Sequence, residues 1–502
     1  MDCLTALAAL NTLASAYGIT GAACPAPPPP PSPPPPPAAS HVPVSVWFQP
    51  ASVSTQAKAV GIDFLMGLDL GGRPHVEAAD LAPIKAAGIK VAPFITGAAD
   101  IPAIKALDGA ETVTGYVLGD EPNCSVAPGL PATVAAIKVA DNLPVYSNFT
   151  AWVTAPLWSG CPSDLTRALQ SVAAASADAY PPTSPYAANP SMPVSERSDF
   201  VTKPNDVMWY QGLMVAGLKH FAAPGQPVWA FVEAGADNFG QSLTGNPLQA
   251  SITANVVTNL SGWSKFTPAW LGLSIAGRQI TGIIDATHAT VANGPDVPAG
   301  GVAVTGGVRN SDCVGNLCLV NGNEYRATPA DVKAEVWASI INGATGIEWF
   351  CHDSTDYAFC LKDPVASKTV AQIDADVQSF APMILSPTLG MCSMQREDYI
   401  KQVLSTSGSC ADGILTMAST GIPGMAMVKS YGGATYLFAQ SDRRGAATFT
   451  FTLTGLAGKT VTPIYGGQAA GLTSNRALTL DASGTFSDAF TGDYQTKIYR
   501  VQ

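Results

Sequence analysis

Two short runs carry carboxylates in a pattern that suits acid–base chemistry. One is Gly119-Asp120-Glu121-Pro122 and the other is Phe231-Val232-Glu233-Ala234-Gly235. Each closes an apolar, β-type stretch: GYVLGDEP over 115–122 and PVWAFVEAG over 227–235. A protonated carboxyl can donate to a leaving oxygen while a second, ionised carboxylate attacks the anomeric carbon. That pair hydrolyses a glycosidic bond with no metal or organic cofactor. The donor needs a raised pKa, which a partly desolvated pocket and a neighbouring carboxylate supply. The two carboxylates must then be brought face to face by the elements that bear them.

Those elements recur along the chain. Apolar runs ending in polar, Gly or Pro residues fall at 42–50, 62–68, 89–95, 115–122, 143–150, 177–183, 227–235 and 343–353. Helix-like segments at 78–88, 130–141 and 329–342 separate some of them. Alternating β and α stretches with continuous apolar strands predict a parallel sheet buried on both faces. Eight such units predict a (β/α)8 barrel over 41–385, an α/β fold with function at the C-terminal strand ends. A doubly wound sheet is the alternative, and its Gly-rich first turn is missing from the sequence. The connection over 236–342 reads as an elaborated loop with hairpins of its own, and loops of that length tend to carry function. After residue 386 helical periodicity gives way to period-two strands such as ATFTFTL (447–453), which predict a C-terminal β-sandwich over 386–502.

The Asp120-Glu121-Pro122 and Glu233 runs resemble those of the clan A, or "4/7", glycoside hydrolases, over roughly 42–385. These place an acid/base Glu after strand four, a nucleophile Glu after strand seven, and act with retention. The usual strand-four motif is Asn-Glu-Pro, and here an Asp stands where the family's Asn contacts the sugar 2-hydroxyl. The GDEP form, with the segment from Arg326 to Phe350, is similar to one largely uncharacterised group of that clan. The resemblance implies Glu121 as acid/base and Glu233 as nucleophile, on a carbohydrate substrate. It further implies that Tyr180 bonds the nucleophile and that Trp349 forms an aromatic floor under the sugar. Asn148, ending strand five, is a candidate hydroxyl ligand, and Asp120 could accept from the sugar hydroxyl but not donate to it. Glu348, His352 and Asp353 are secondary candidates. Alternation sends Glu348 and Trp349 to opposite faces, so only one points inward. Asp69 and Arg73, after strand two, line the mouth or belong to a solvated loop. Each residue also has a plain structural role open to it: Glu121 at a helix N-terminus, Glu233 on a surface loop, Tyr180 packed in a turn, Trp349 in the core. Asn123, Asn148 and Asn259 lie in N-x-S/T sequons, and a glycan on Asn148 excludes a role for it in the mouth.

Composition narrows the rest. The chain has 502 residues, with charged residues at 13% and a formal charge of −11. An acidic chain without clustered Lys and Arg makes a poor nucleic-acid binder. Ten cysteines without a CxxC, and only five histidines, disfavour a zinc site and suggest disulfides in an oxidising compartment. Pairing of sequence neighbours gives 124–161, 313–318, 351–360 and 392–410. No run of 18 apolar residues predicts an integral membrane span. Residues 1–24 are apolar without Lys or Arg, an atypical signal or an anchor, and 25–40 form a Pro-rich polyproline II spacer. These two segments suggest secretion or surface display, with attachment of residues 1–40 to a larger assembly. GxSxG and HExxH motifs are absent, and Gly458-Lys459-Thr460 lacks the rest of a P-loop. Two other readings stand beside the glycosidase: a non-catalytic carbohydrate-binding or structural protein that kept the barrel, and a different barrel enzyme such as a lyase.

Overall fold

The computed structural model describes residues 41–108, 111–150, 160–180, 207–235, 248–260, 266, 274–285, 287–302, 304–305, 328–352, 357–398, 403–466 and 477–502. The apolar N-terminal segment, the Pro-rich spacer, the Cys313–Cys318 run and Asp353 lie outside them.

The predicted strands form where apolar runs can be buried on both faces. They are β1 (Val44–Gln49), β2 (Phe64–Leu68), β3 (Lys90–Ala92), β4 (Tyr116–Asp120), β5 (Val145–Thr150), β6 (Ala177–Asp178), β7 (Trp229–Glu233) and β8 (Gly346–Phe350). A helix follows each: α1 (Ser54–Ala59), α2 (Ala78–Ala87), α3 (Ile101–Asp108), α4 (Leu130–Ala140), α5 (Pro162–Ser171), α6 (Trp209–Phe221), α7 (Pro329–Ile341) and α8 (Pro364–Ile384). All pairings among these strands are parallel. One sheet runs β3-β2-β1-β8-β7 and the other β4-β5-β6. Isolated parallel bridges join them, Phe94 to Val117 on one side and Ala175 to Val228 on the other.

The helix-facing sides of the strands bury Val44, Val46, Leu65, Val91, Ala230, Val232 and Trp349 against α1–α8. The opposite sides gather a separate, largely aromatic cluster that includes Trp47, Phe64, Met66, Trp229, Phe231 and Phe350. Helix starts are locally encoded. Thr328 and Asp331 form a reciprocal capping box ahead of α7, with Pro329 in the first turn. Asp363 accepts from the backbone of Val365 and Ala366 at the start of α8.

The connection between β7 and β8 is more than a decorated loop. Between Leu248 and Thr305 it builds a seven-stranded antiparallel sheet around Ala250, Ile252, Val257, Ile280 and Val291. A chain of this length can bury a small core of its own, so its Thr- and Gly-rich runs pair rather than remain loop.

After α8, antiparallel strands begin at Thr388. A six-stranded and a four-stranded sheet enclose Val428, Leu437, Phe449, Phe451, Leu453 and Tyr499. Phe449, Phe451 and Leu453 alternate with outward Thr residues, as period two requires. This β region docks on α7 and α8. Arg444 pairs with the fully buried Asp331 at 2.8 Å, Gln440 donates to the Ala334 carbonyl at 3.0 Å, and Tyr465 donates to Asp376 at 2.6 Å. Removing one partner of such a buried pair strands the other charge. That costs about 3–5 kcal/mol when both are buried, and less here because Arg444 is partly exposed.

Candidate active site

The GDEP run folds as a kinked strand end. The β4–β5 register shifts between Val117 and Asp120. Gly119 takes φ +82° and Glu121 φ +48°. Glycine holds a left-handed conformation freely, whereas Glu121 holds it at about 1–2 kcal/mol. Strain of this kind persists where the surroundings over-determine it and clusters at functional sites. Glu121 is held by its backbone N–H, which donates to the Asn148 carbonyl at 2.9 Å. Its side chain is exposed. The loop that follows is tied to the start of α5 by the Cys124–Cys161 disulfide. Disulfides also join Cys351 to Cys360 and Cys392 to Cys410.

Asn148 ties three strand ends together. Its Nδ2 donates to Asp120 Oδ1 at 3.1 Å and to Asp178 Oδ2 at 2.8 Å. With both amide hydrogens used and the residue buried, Asn148 cannot carry a glycan. The sequon reading fails there because the amide faces carboxylates rather than solvent. Asn259 is buried as well, whereas Asn123 is exposed.

Tyr180, also left-handed at φ +48°, donates its hydroxyl to Asp178 Oδ2 at 3.0 Å. Burial pushes the Asp178 carboxyl well above its usual range, and the charges of Glu121 and Asp120 push it further. Asp120 is exposed at the strand end, yet protein packs closely around its carboxyl. Burial raises its carboxyl to about 6, the Asn148 hydrogen bond opposes this, and the Glu121 charge adds to it. Glu348 points into the same interior, accepting from Ser176 Oγ at 3.2 Å. Burial pushes it up to about 8, with a further push from the charge of Asp120. Four carboxylates from β4, β6 and β8 therefore share one field. Asp178 is the member that sequence reading did not single out. Its signal was an acid two residues before Tyr180 in a run otherwise read for its tyrosine.

Glu233 ends β7 as expected, but it is only 1% exposed. Its neighbour in charge is Glu335 of α7, a fully buried carboxyl that sequence reading also passed over. Burial holds Glu335 well above its usual range, with the charges of Glu233 and Asp331 adding.

Trp349 is not a floor. It is fully buried on the helix side of β8, and its indole N–H donates to Asp374 of α8 at 3.1 Å. Strand alternation gives the inward position to Glu348 instead, which stands in register with Phe231. Asp69 accepts from the Gly71 backbone N–H at 2.9 Å in a tight turn after β2. Arg73 pairs with Asp80 at 2.6 Å and Glu77 at 3.2 Å, so it belongs to a solvated loop. His352 is buried between the Phe350 and Tyr357 rings. Among the described residues, no group of three or more His, Cys, Asp or Glu side chains has a metal-binding arrangement. No described helix is long and apolar enough to cross a membrane.

The raised acids make folding pH-dependent. Glu348 titrates at about 8 when folded against 4.5 in the open chain. The folded state therefore holds a proton that the unfolded state releases. The stability this contributes is complete below pH 4.5 and is lost as pH rises towards 8, at no more than about 1.4 kcal/mol per pH unit. Glu348→Gln keeps an acceptor for Ser176 and cannot ionise. It should melt above the wild type at pH 8 by several degrees, with the gap closing by pH 5. An equal gap at both pH values in thermal melts would refute the assignment.

The fold and site together define a β/α protein with acidic strand ends and an all-β C-terminal region. No protein-family model matches the chain, and no curated protein matches it in sequence. Among solved structures it is similar to an alpha-amylase from Geobacillus thermoleovorans complexed with acarbose, at 11% identity and TM-score 0.40 over 90% of this chain and 91% of that one. A GH30 endoxylanase from Clostridium papyrosolvens aligns at 10% identity and TM-score 0.37, over 92% and 96%. A maltogenic alpha-amylase from Thermotoga neapolitana aligns at 7% identity and TM-score 0.44, over 92% and 99%. At such scores the functional reading belongs to this chain's own residues.

Proposed function

We propose that the chain is a glycoside hydrolase of an oxidising, extracellular compartment, cleaving an oligo- or polysaccharide at the strand ends of a closed (β/α)8 barrel. The two parallel sheets, the return of β8 onto β1 and the three isolated bridges support closure. One observation carries the activity. Asn148 gathers Asp120 and Asp178 beside the exposed, strained Glu121, which sets three carboxyls at adjoining strand ends. Carboxyls brought together at strand ends are the groups that glycoside hydrolysis uses. In this reading Glu121 protonates the leaving oxygen and later activates water, and Glu233 attacks the anomeric carbon from the β7 side. The mechanism requires no cofactor.

A specific observation favours a second assignment of the nucleophile. Asp178 receives the Tyr180 hydroxyl and the Asn148 amide and lies in the field of Glu121. Both carboxyls are buried, Glu233 at 1% exposure and Asp178 at 7%, but it is Asp178 that stands beside Glu121.

The test is time-resolved NMR of the first product formed from maltohexaose, xylohexaose or cellohexaose. Hydrolysis with retention is the expected outcome. Inversion would remove the covalent nucleophile from the scheme. Tight binding without hydrolysis would establish the non-catalytic carbohydrate-binding reading instead.

A further inference from the structure

The aromatic side chains at the strand ends form a continuous path away from the carboxylates. Tyr180, which bonds Asp178, stacks on Phe350 with ring centroids 4.5 Å apart. Phe350 lies 4.2 Å from His352, and His352 lies 4.6 Å from Tyr357. Tyr357 meets Phe48 at 5.6 Å, and Phe48 meets Phe94 at 5.9 Å, both edge to face. The first part of this path is buried. Its far end is not: Tyr357 is 49% exposed, and Phe48 and Phe94 are half-buried.

Four features hold the open rings in place. Phe48 ends β1 in a left-handed conformation at φ +49°, a strained geometry that turns the chain between Trp47 and Gln49. The Gln49 amide donates to the Tyr357 carbonyl at 2.6 Å and to the Trp47 carbonyl at 2.8 Å, pinning the Tyr357 backbone to β1. The Cys351–Cys360 disulfide closes the loop that carries both His352 and Tyr357. Gly67 on β2 leaves the room that Phe94 fills, since a Cβ there would lie against its ring.

We propose that Phe48, Phe94 and Tyr357 form a stacking platform for an oligosaccharide chain, at the open end of the ring path that starts beside the strand-end carboxylates. This rests on the reading of the site as a glycosidase. Sugars present apolar C–H faces beside polar rims. Exposed aromatic rings of fixed orientation meet such faces at low entropic cost, and the tyrosine hydroxyl adds a polar handle. Backed by buried rings and a disulfide, the platform takes the part that the helix-facing Trp349 cannot play.

The test uses the full chain with its disulfides intact and Glu121→Gln to stop turnover. Binding of maltohexaose, xylohexaose and cellohexaose is followed by intrinsic fluorescence, for which Trp47, 5.4 Å from Phe94, is a nearby reporter. At least one probe should bind. Tyr357→Ala and Phe48→Leu should each weaken that binding at least tenfold while the melting curve stays in place, and Tyr357→Phe should restore most of it. Unchanged affinity in both variants would overturn the platform and leave the hydrolase reading intact. A lowered melting temperature with unchanged affinity would assign the rings to packing against this chain, which also overturns it. If the wild type cleaves a probe that the Glu121→Gln chain does not bind, the platform alone fails. If no probe is bound or cleaved, both readings fail.

Discussion

Glu233→Ala is expected to lower kcat by more than about 10⁴-fold, beyond the range that a proton-transfer residue accounts for. Sodium azide should then restore turnover of an activated aryl glycoside, giving a glycosyl azide of the opposite anomeric configuration. The small anion occupies the space of the missing carboxylate and attacks the same carbon directly. The burial of Glu233 beside Glu335 makes this a sharp test, because a nucleophile must reach the substrate. Asp178→Ala is the comparison. If azide rescues Asp178→Ala and leaves Glu233→Ala dead, the nucleophile is the carboxylate held by Tyr180 and Asn148. Glu233 then belongs to the packing between β7 and α7.

Glu121→Ala should lower kcat on an oligosaccharide by about 10²–10⁴-fold, the usual contribution of a positioned acid. The loss should nearly vanish for the first step on substrates whose leaving group needs no proton, such as dinitrophenyl glycosides. That split separates acid catalysis from a folding defect, which would depress both substrates alike. Equal activity of the variant and the wild type on an oligosaccharide would remove Glu121 from the mechanism. The exposed side chain and the Cys124–Cys161 tether behind it make collapse of the fold a poor explanation for a selective loss.

The two results together decide how the acidic strand ends divide their work. Asp120, raised to about 6 beside Glu121, makes the mouth sensitive to pH near neutrality. Its proton and that of Asp178 belong to one coupled field. Kinetic pKa values will therefore report the group of carboxyls rather than any single residue.

Much of the architecture is local information. Runs such as VSVWFQ and WAFVE must be buried on both faces, and turn residues end them, so the order of strands and helices is legible without tertiary contacts. The same holds for Phe449, Phe451 and Leu453, whose alternation with Thr names the buried face. Asp120, Glu121, Glu233 and Glu348 stand out in the sequence because acids at the ends of apolar runs are conspicuous.

What the sequence by itself could not determine is which way those side chains turn and what they meet. Glu348 and Trp349 sit in a strand buried on both sides, so hydrophobicity carries no phase, and only the pairing of β8 with β7 assigns the inward face to the acid. Asp178 becomes part of the site because Asn148, thirty residues earlier, reaches it. Glu335 meets Glu233 only because α7 packs on β7. The aromatic path draws its rings from β1, from β8 and from the residues that follow β3, β6 and β8. Each of these is a contact between residues far apart in the chain. Such contacts follow from the closure of sheets and the docking of helices, which local pattern does not encode.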